Sequence, residues 1–210
     1  MFVSELYNEN GKRLSYIIDY PENFDKNKKY PLIFYFHGMG MVRNGIQKVI
    51  DCVPVRRERM PEDMPFIIVA PYCEAFTWIE CFETLTAFTD YMIAREYVDE
   101  TKVYITGSSM GGYTCWAQAV MYPEKFAAAV ICCGAGMYFT AAAARIKFPV
   151  WAFHGKLDET VLPRESEIMV ERINTCGGNA KLTLVENRGH DVWNDAFQSE
   201  EVYRWLWAVR

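Results

Sequence analysis

A glycine-flanked serine is the feature of this sequence best suited to do chemistry. Residues 107–111 read Gly-Ser-Ser-Met-Gly, which places Ser109 two positions from a glycine on either side. An apolar run typical of a strand, 102–106, comes directly before the motif, and a helical pattern begins at Met110. At such a sharp turn the serine hydroxyl projects from the end of a sheet, and the glycines let strand and helix approach. We therefore predict that Ser109 is a nucleophile. Ser108 is excluded because it is not at the centre of the motif.

Three histidines could supply the base that a serine hydroxyl needs before it can attack. Where a serine nucleophile lies on such a turn, the chain order is serine, then the acid, then the histidine. His37 precedes the serine and is excluded by that order, and His154 ends an earlier strand-like run. His190 follows the last strand-like segment and is the predicted base. Because the base must be neutral, activity is expected to rise through weakly acidic pH and to level off near neutrality.

The acid that orients the histidine should lie between the serine and the histidine, just after a strand. Asp158 meets both conditions, because it follows the apolar run 148–154 by a few residues. Glu159 is its neighbour and the main alternative, while Asp191 and Asp195 follow the histidine in sequence. The order along the chain therefore predicts Asp158 as the acid.

The loop after the first buried strand could stabilise negative charge on a substrate carbonyl. It reads His37-Gly38-Met39-Gly40. With this type of serine turn, one backbone N–H of that loop and one from the residue after the nucleophile form the oxyanion hole. Here the predicted donors are the N–H groups of Met39 and Met110. We expect the side chain of His37 to be hydrogen-bonded within the loop rather than to take part in the reaction.

The segments that must position these residues alternate between strand and helix patterns. Continuous apolar runs, typical of strands buried on both faces, are separated by stretches with apolar residues every three or four positions. This order predicts an α/β protein with a mostly parallel sheet flanked by helices, in a single domain that spans 1–210. The predicted strands are 2–7, 14–20, 31–37, 66–71, 102–106, 126–132, 148–154 and 180–185, and the predicted helices are 81–97, 110–121, 163–176 and 193–209.

Composition and charge narrow the class of protein further. The 210 residues are 51% hydrophobic and 23% charged with a net charge of −5, which is ordinary for a globular protein and argues against a nucleic-acid surface. The N-terminus has polar residues where the apolar core of a signal peptide would be. The uncharged stretch 126–144 is long enough for a membrane helix, but its alanines and glycines favour a strand, a loop and a short helix. We expect a cytoplasmic protein that binds neither nucleic acid nor membrane.

Neither a metal nor an organic cofactor is expected. The seven cysteines are odd in number, and no pair has the spacing of a zinc site. The sequence also lacks the motifs of zinc-binding histidines and of phosphate-binding loops. The cysteines are interpreted as reduced, mostly buried thiols.

Three segments carry a resemblance to a known group of enzymes. They are KVYITGSSMGGYTCWAQAVMYPEKFAAAVICCG, VWAFHGKLDETV and NRGHDVWNDAF. They resemble the predicted peptidase/esterase group of α/β-hydrolases, which is related to polyhydroxybutyrate depolymerases, feruloyl esterases and the catalytic domains of dienelactone hydrolases and prolyl oligopeptidases. From about Pro31 to the end, the resemblance implies the α/β-hydrolase fold with a triad of Ser109, Asp158 and His190. Members of the group often carry a glutamate in the oxyanion loop that HGMGMVRNG lacks, so the substrate loop is expected to be altered.

The resulting hypothesis is a serine esterase that acts on small, soluble or exposed carboxylic esters. The alternative within enzymes is a peptidase or acylaminoacyl-type hydrolase of the prolyl oligopeptidase group. A non-catalytic protein that kept the fold would be expected to have lost a triad residue, and none is lost. A thiol hydrolase of the dienelactone type would need cysteine at the position of Ser109.

The sequence also indicates how open the site should be. Only residues 134–147 separate two predicted strands at the place where related lipases insert a cap, so no cap domain is predicted. The alternative is that the irregular stretch 38–64 folds over the site as a small lid, with its apolar residues on the underside. Trp78, Trp193 and Tyr113 are the predicted substrate-binding side chains, although core packing is the other explanation for each aromatic residue. The charged run 56–59 is expected to be a solvated surface.

Overall fold

The computed structural model describes residues 1–209 and is built on one continuous eight-stranded sheet. The strands are β1 Val3–Glu9, β2 Lys12–Asp19, β3 Tyr30–Phe36, β4 Ile67–Pro71, β5 Val98–Ser108, β6 Ala128–Cys132, β7 Val150–Gly155 and β8 Ala180–Val185. Their spatial order is β1-β2-β4-β3-β5-β6-β7-β8. Pairing is parallel from β4 to β8, whereas β2 is antiparallel to both of its neighbours.

Seven helices connect or follow these strands within the described residues. They are α1 Gly45–Cys52, α2 Phe82–Ile93, α3 Met110–Met121, α4 Thr140–Ala143, α5 Pro163–Thr175, α6 Trp193–Gln198 and α7 Glu200–Ala208. None of the helices in residues 1–209 has both the length and the apolar character needed to cross a membrane. The uncharged stretch 126–144 forms β6, a loop and α4, as its composition predicts.

The sheet has a hydrophobic core on each face, because the central strands are buried on both sides. Every residue of β3 is buried, and successive side chains of the strand point to opposite faces. Phe34 contacts Phe88 of α2 on one face, and the next residue, Tyr35, contacts Phe197 of α6 on the other. Helices α2, α3 and α5 pack on the first face, and α1, α6 and α7 pack on the second. The predicted fold class, a mostly parallel sheet flanked by helices, is confirmed.

The first two predicted strands form an antiparallel hairpin with a turn that suits its sequence. β1 and β2 pair from Val3 opposite Ile18 to Glu9 opposite Lys12. The two residues between the strands, Asn10 and Gly11, have φ values of 52° and 75°. A two-residue turn with both φ values positive matches the twist of an antiparallel pair, and asparagine followed by glycine is the preferred sequence for it.

The predicted helix 193–209 is two helices in the structure. Ser199, between α6 and α7, has an extended backbone, and its side chain accepts a hydrogen bond from the N–H of Glu201. A serine in this position satisfies an N–H group that has no partner inside the following helix, so it favours a new helix start over continuation. The helical spacing of apolar residues continues across Ser199, so the sequence pattern did not reveal the break between α6 and α7.

The charged run 56–59, expected to be a solvated surface, is only partly so, because its three arginines are half-buried and bound to other groups. Arg57 forms an ion pair with Asp19, which is 2% exposed, at 2.8 Å between Nε and Oδ2. Arg56 and Arg59 donate to backbone carbonyls of the same irregular stretch, and only Glu58 is exposed. Arg57 also donates to the carbonyl of Phe66 at 2.7 Å, so all three arginines bind backbone carbonyls and help to fix the loop that follows α1.

Between β6 and β7, where a cap domain could have been inserted, the structure has only a loop and the four-residue helix α4. No cap domain is present among residues 1–209, as predicted. The stretch 38–64, which the sequence indicated to be irregular, contains α1 and is anchored to the body of the protein: Val42 is buried, and Met41 and Ile46 pack against the core on the second face. Met39 is the apolar residue of this stretch that stays exposed, at 42%.

Candidate active site

Ser109 lies at the sharp turn between β5 and α3, with a backbone conformation that few residues adopt. Its φ is 54° and its ψ is −122°, and its N–H donates to the carbonyl of Cys132 at 3.0 Å. The glycines of the motif are required by space. A Cβ on Gly107 would lie 2.6 Å from the carbonyl oxygen of Gly111, and a Cβ on Gly111 would lie 1.8 Å from that of Phe36. This conformation typically costs about 1–3 kcal/mol, which the packing of the surrounding strands must offset.

A chain of two hydrogen bonds joins three predicted site residues. Nε2 of His190 is 2.8 Å from Oγ of Ser109, and Nδ1 of the same ring is 2.7 Å from Oδ2 of Asp158. The carboxylate accepts from Nδ1–H, so Nε2 of the neutral ring is left without a proton and faces the serine hydroxyl. This is the tautomer that a base for the serine requires. The His190 side chain is 24% exposed, whereas that of Asp158 is fully buried.

Asp158 remains a charged acceptor because backbone groups bind its second oxygen. The N–H groups of Thr160 and Val161 donate to Oδ1 at 2.9 and 3.0 Å. Burial raises the pKa of Asp158, but the hydrogen bonds from Val161, His190 and Thr160 outweigh that effect and hold the pKa below its ordinary value. The alternative acid, Glu159, is exposed.

The two other acidic candidates, Asp191 and Asp195, lie beside Arg188. Asp195 lies 2.6 Å from Nε of Arg188, and Asp191 lies 3.9 Å from a terminal nitrogen of the same side chain. Both carboxylates therefore help to fix the loop that carries His190. Of the four acids that the sequence left open, the structure brings only Asp158 to the histidine ring.

The predicted oxyanion donors flank Ser109 and have no other acceptor within residues 1–209. Met110 is the first residue of α3, and Met39 begins a single 3₁₀ turn after β3. We call residues 37–41 the oxyanion loop. Neither N–H is engaged in a backbone or side-chain hydrogen bond. A Cβ on Gly38 would lie 3.2 Å from the Cβ of Ser109, so the loop passes close to the serine. Two free N–H groups beside the partly exposed Ser109 form an arrangement that could bind an oxyanion.

The side chain of His37 fixes the oxyanion loop through hydrogen bonds, in agreement with the structural role predicted for it. Its Nε2 accepts from the N–H of Cys73 at 3.0 Å, so the proton is on Nδ1, which donates to the carbonyl of Gly38 at 2.8 Å. In a trans peptide the C=O and the next N–H point in opposite directions. Binding the Gly38 carbonyl therefore turns the N–H of Met39 away from His37. Burial lowers the pKa of His37 to about 4, which keeps the ring neutral.

His154 lies next to Asp158 and plays a structural part there similar to that of His37 in the oxyanion loop, which the sequence did not predict. It is fully buried, and its Nε2 lies 2.8 Å from the carbonyl of Val161 and 3.3 Å from Oδ2 of Asp158. Its Nδ1 is 2.7 Å from Oγ of Ser166. We call residues 154–161 the acid loop. A signal was available: Phe-His-Gly occurs at the carboxyl ends of both β3 and β7, with 36–38 starting at the last residue of β3 and 153–155 ending β7.

Two cavities open on either side of Ser109. The first, which we call the basic cavity, has a volume of about 700 Å³ and reaches His190. The second, which we call the apolar cavity, has a volume of about 680 Å³ and lies against α3. The basic cavity is lined by Lys48, Asp51, Arg56, Arg59, Thr160 and Trp193, among others. The apolar cavity is lined by Met39, Trp78, Ile79, Phe82, Tyr113, Met137 and Glu165, among others.

The three predicted substrate-binding side chains are found in different situations. Trp193 lines the basic cavity, and its ring stands edge-on to His190 with centroids 5.8 Å apart. Tyr113 lines the apolar cavity and is 46% exposed. Trp78 borders the same cavity but is only 1% exposed, and its indole N–H donates to the carbonyl of His37 at 2.9 Å. Trp78 therefore contacts the oxyanion loop as well as the cavity, and its part in substrate binding stays a prediction.

Two of the predicted triad residues form, with a neighbouring cysteine, a group that has the composition of a metal site. Ligand atoms of Cys133, Asp158 and His190 lie within 4.8 Å of one another. Burial raises the pKa of Cys133 to about 12, and its thiol donates to the backbone carbonyl of His190. A metal ion would need the thiolate and would displace the bond between the acid and the histidine. These residues therefore fit a hydrogen-bonded triad better than a metal centre.

Known proteins that are similar to this chain include both peptidases and esterases. The model of the prolyl oligopeptidase family matches residues 79–138, which contain the serine turn. Probable dipeptidyl-peptidase 5 from Aspergillus terreus is 32% identical over 147 residues, 61% of this chain and 20% of the relative. Probable feruloyl esterase C from the same species is 30% identical over 131 residues, 60% of this chain and 48% of the relative. The chain thus spans about a fifth to about half of the length of these curated relatives.

Among solved structures, one described as a thermostable esterase superimposes on this chain with a TM-score of 0.86. The two sequences are 27% identical, and the match covers 98% of this chain and 62% of the other. An acylaminoacyl peptidase structure is also similar, with a TM-score of 0.72 at 14% identity, and it covers 98% of this chain and 41% of the other. At that identity the second likeness shows the fold alone.

Proposed function

We propose that this chain, a serine hydrolase of the α/β-hydrolase superfamily, cleaves carboxylic esters through an acyl-enzyme intermediate on Ser109. The observation that carries the proposal is the hydrogen-bonded chain from Asp158 through His190 to Ser109, which ends beside two unoccupied N–H donors. A nucleophile, a base in the correct tautomer and oxyanion donors are the three parts that acyl transfer requires.

In the proposed reaction, Oγ of Ser109 attacks the ester carbonyl while Nε2 of His190 takes the hydroxyl proton. The N–H groups of Met39 and Met110 bind the carbonyl oxygen as it becomes negative, and the buried Asp158 stabilises the imidazolium. The imidazolium then gives its proton to the leaving alcohol, which departs. Water attacks the acyl-serine with the same base, and the acid product is released.

The two cavities support an assignment of the two halves of the substrate. The apolar cavity is the better place for the acyl group, because Phe82, Tyr113 and Met137 offer apolar surface next to the serine. The basic cavity, with Lys48 and Arg59 on its wall, suits a polar or anionic alcohol. A substrate with a polar alcohol and a small apolar acid is therefore the proposed class.

A short acyl group is proposed because the apolar cavity is open. Ile79 on its rim is 84% exposed, and Tyr113 and Met137 are 46% and 39% exposed. A buried CH₂ group contributes about 0.8 kcal/mol, but only where protein covers it. Long acyl chains would extend beyond this rim into water, so further carbons would add little binding free energy.

One observation favours the peptidase or acylaminoacyl alternative. Glu165, at the start of α5, is the acidic side chain among the residues that line the apolar cavity. A carboxylate in such surroundings would attract a free amino group on the acyl part of the substrate, as in an aminoacyl compound. The match to the prolyl oligopeptidase family agrees with that possibility.

The experiment compares kcat/KM on p-nitrophenyl esters from acetate to laurate with kcat/KM on alanyl and prolyl p-nitroanilides. We expect the highest value between acetate and butyrate, and no loss after dialysis against EDTA. A maximum at C12 with activation at a lipid interface would contradict the short-acyl proposal. Faster turnover of an anilide than of the matched aminoacyl ester, lost in Glu165→Gln, would establish the alternative. Ser109→Ala controls for spontaneous hydrolysis.

A further inference from the structure

Two free thiols lie side by side behind the oxyanion loop. The Sγ atoms of Cys73 and Cys81 are 3.7 Å apart. Cys73 is buried just after β4, while Cys81 is partly exposed at the start of α2. A disulfide needs a sulfur–sulfur distance of about 2.05 Å, so the sulfurs must approach by about 1.7 Å. Among the described residues, no other pair of cysteines makes such a contact.

We propose that Cys73 and Cys81 are a redox-active pair that closes reversibly to an intramolecular disulfide in the folded protein. The pair lies outside the hydrogen-bonded chain of the proposed reaction, and nothing in that reaction uses either thiol. The proposal therefore stands or falls independently of the ester substrate.

The different exposure of the two thiols gives the reaction a direction. The hydrogen bond with Cys73 is the main cause that lowers the pKa of Cys81, whereas the pKa of Cys73 is raised. The partly exposed Cys81 is thus the thiol that a small oxidant reaches first and the one that more readily forms the thiolate. The buried Cys73 has its Sγ 3.7 Å from that of Cys81, so it is positioned to attack the mixed disulfide that forms first on Cys81.

With a low-molecular-weight disulfide such as oxidised glutathione, the steps balance as follows. The thiolate of Cys81 attacks one sulfur of the oxidant, which forms a mixed disulfide and releases one glutathione thiolate. Cys73 then loses its proton and attacks the sulfur of Cys81, which releases the second glutathione. Two protein thiols are oxidised and one small disulfide is reduced to two thiols. A dithiol reductant reverses both steps.

The segment between the two cysteines supports the oxyanion loop through His37. The N–H of Cys73 donates to Nε2 of that ring, and the indole of Trp78 donates to its carbonyl. A bond between Cys73 and Cys81 would therefore close the nine residues 73–81 that hold His37 in place. Closing a loop of this length restricts the unfolded chain, so the oxidised protein should melt roughly 5–10 °C higher.

The digestion pattern makes the test direct, because one tryptic peptide, 60–95, contains both cysteines and no internal lysine or arginine. The purified chain is incubated with oxidised glutathione, free thiols are blocked with N-ethylmaleimide, and the digest is analysed by mass spectrometry. We expect peptide 60–95 to be unblocked and two hydrogens lighter. The count of free thiols should fall from seven to five. A dithiol should restore both values.

Matched variants separate the proposal from general oxidation. Cys81→Ser changes a partly exposed side chain and should remove both the thiol loss and the rise in Tm on oxidation. Cys176→Ser changes another partly exposed thiol and should leave both responses intact. The proposal is overturned if the oxidised wild type carries two blocked cysteines in peptide 60–95, or if Cys81→Ser still shows the rise in Tm.

Discussion

The oxyanion loop and the acid loop each begin at the histidine of a Phe-His-Gly sequence, yet they prepare opposite kinds of group. Both follow a fully buried strand at the carboxyl end of the sheet, and both histidines are completely buried. His37 binds a carbonyl so that the next N–H group is directed away from it. His154 binds the carbonyl of Val161 and lies 3.3 Å from the carboxylate of Asp158. One histidine therefore orients a donor, and the other supports an acceptor.

The difference lies in the charge beside each ring. His37 contacts neutral backbone groups, and burial lowers its pKa to about 4. Burial also lowers the pKa of His154, but the carbonyl of Val161 and the charge of Asp158 oppose that effect. The lesson is that these buried histidines act as fixed, neutral hydrogen-bonding groups. The ring that is proposed to carry a proton, His190, is the partly exposed one on a separate loop.

Replacing the serine on which both loops converge should have the largest effect. Ser109→Ala should lower kcat by up to roughly 10⁶-fold, because Ser109 carries the one hydroxyl that is hydrogen-bonded to the His190 ring within residues 1–209. A fluorophosphonate probe should label the parent at Ser109 and leave the variant unlabelled. The matched control is Ser108→Ala, since that buried hydroxyl pairs with Tyr35 at 2.7 Å and should not react. Equal rates for Ser109→Ala and the parent on p-nitrophenyl acetate would remove Ser109 from the mechanism.

Asp158→Asn tests the acid loop and should have the next largest effect. An amide can donate to Nδ1 of His190 and so favour the wrong tautomer, and such a change costs roughly 10⁴-fold in kcat. KM should change far less, because the carboxylate acts on the imidazolium rather than on the substrate. Glu159→Gln is the control, since its side chain is exposed beside the loop. A loss of activity in the control that equals the loss in Asp158→Asn would transfer the role to Glu159.

The sequence predicts the central part of this molecule because several independent signals coincide there. The strand, the glycine-flanked Ser109 and the following helix form one local pattern, and the order of the chain leaves few partners for it. What it did not predict depends on contacts between distant segments. The position of Trp78 depends on its contact with His37. The ion pair of Arg57 with the buried Asp19 joins the stretch 38–64 to the end of β2. Apolar periodicity also could not show the break at Ser199, which is set by a single cap.

Variants of His37 test the oxyanion loop, with a smaller expected effect. His37→Ala should lower kcat by roughly 10²-fold, because the N–H of Met39 would lose its fixed direction. KM should be nearly unchanged, since that donor acts mainly on the transition state. His37→Asn keeps a donor near the position of Nδ1 and should recover much of the loss, whereas Trp78→Phe should cost less than His37→Ala. If the alanine and asparagine variants have the same kcat, the Gly38 contact does not position the donor.

The smallest effect, and the one that separates the two buried histidines, is in the pH dependence of stability. An ordinary histidine has a pKa of ~6.5 in an unfolded chain, and His37 has a pKa of about 4 in the fold. Between these values the unfolded chain binds a proton that the folded chain does not. The free energy of unfolding therefore rises with pH in this window, by up to ~1.4 kcal/mol per pH unit. The contribution is fully present above ~6.5 and is lost as the pH falls toward 4.

His154 should add to the same slope but less strongly, since the carboxylate of Asp158 opposes the effect of burial on its pKa. Asp158 does not contribute to the slope in this pH range. Because its pKa is lowered in the fold, the stability that it contributes is lost only below pH ~3.9, the ordinary pKa of aspartate. Urea unfolding between pH 4.5 and 7.5 measures the slope, on the Ser109→Ala background to exclude turnover. We expect His37→Asn to flatten it more than His154→Asn does. The reverse order would mean that the carboxylate of Asp158 does not offset the effect of burial on the pKa of His154.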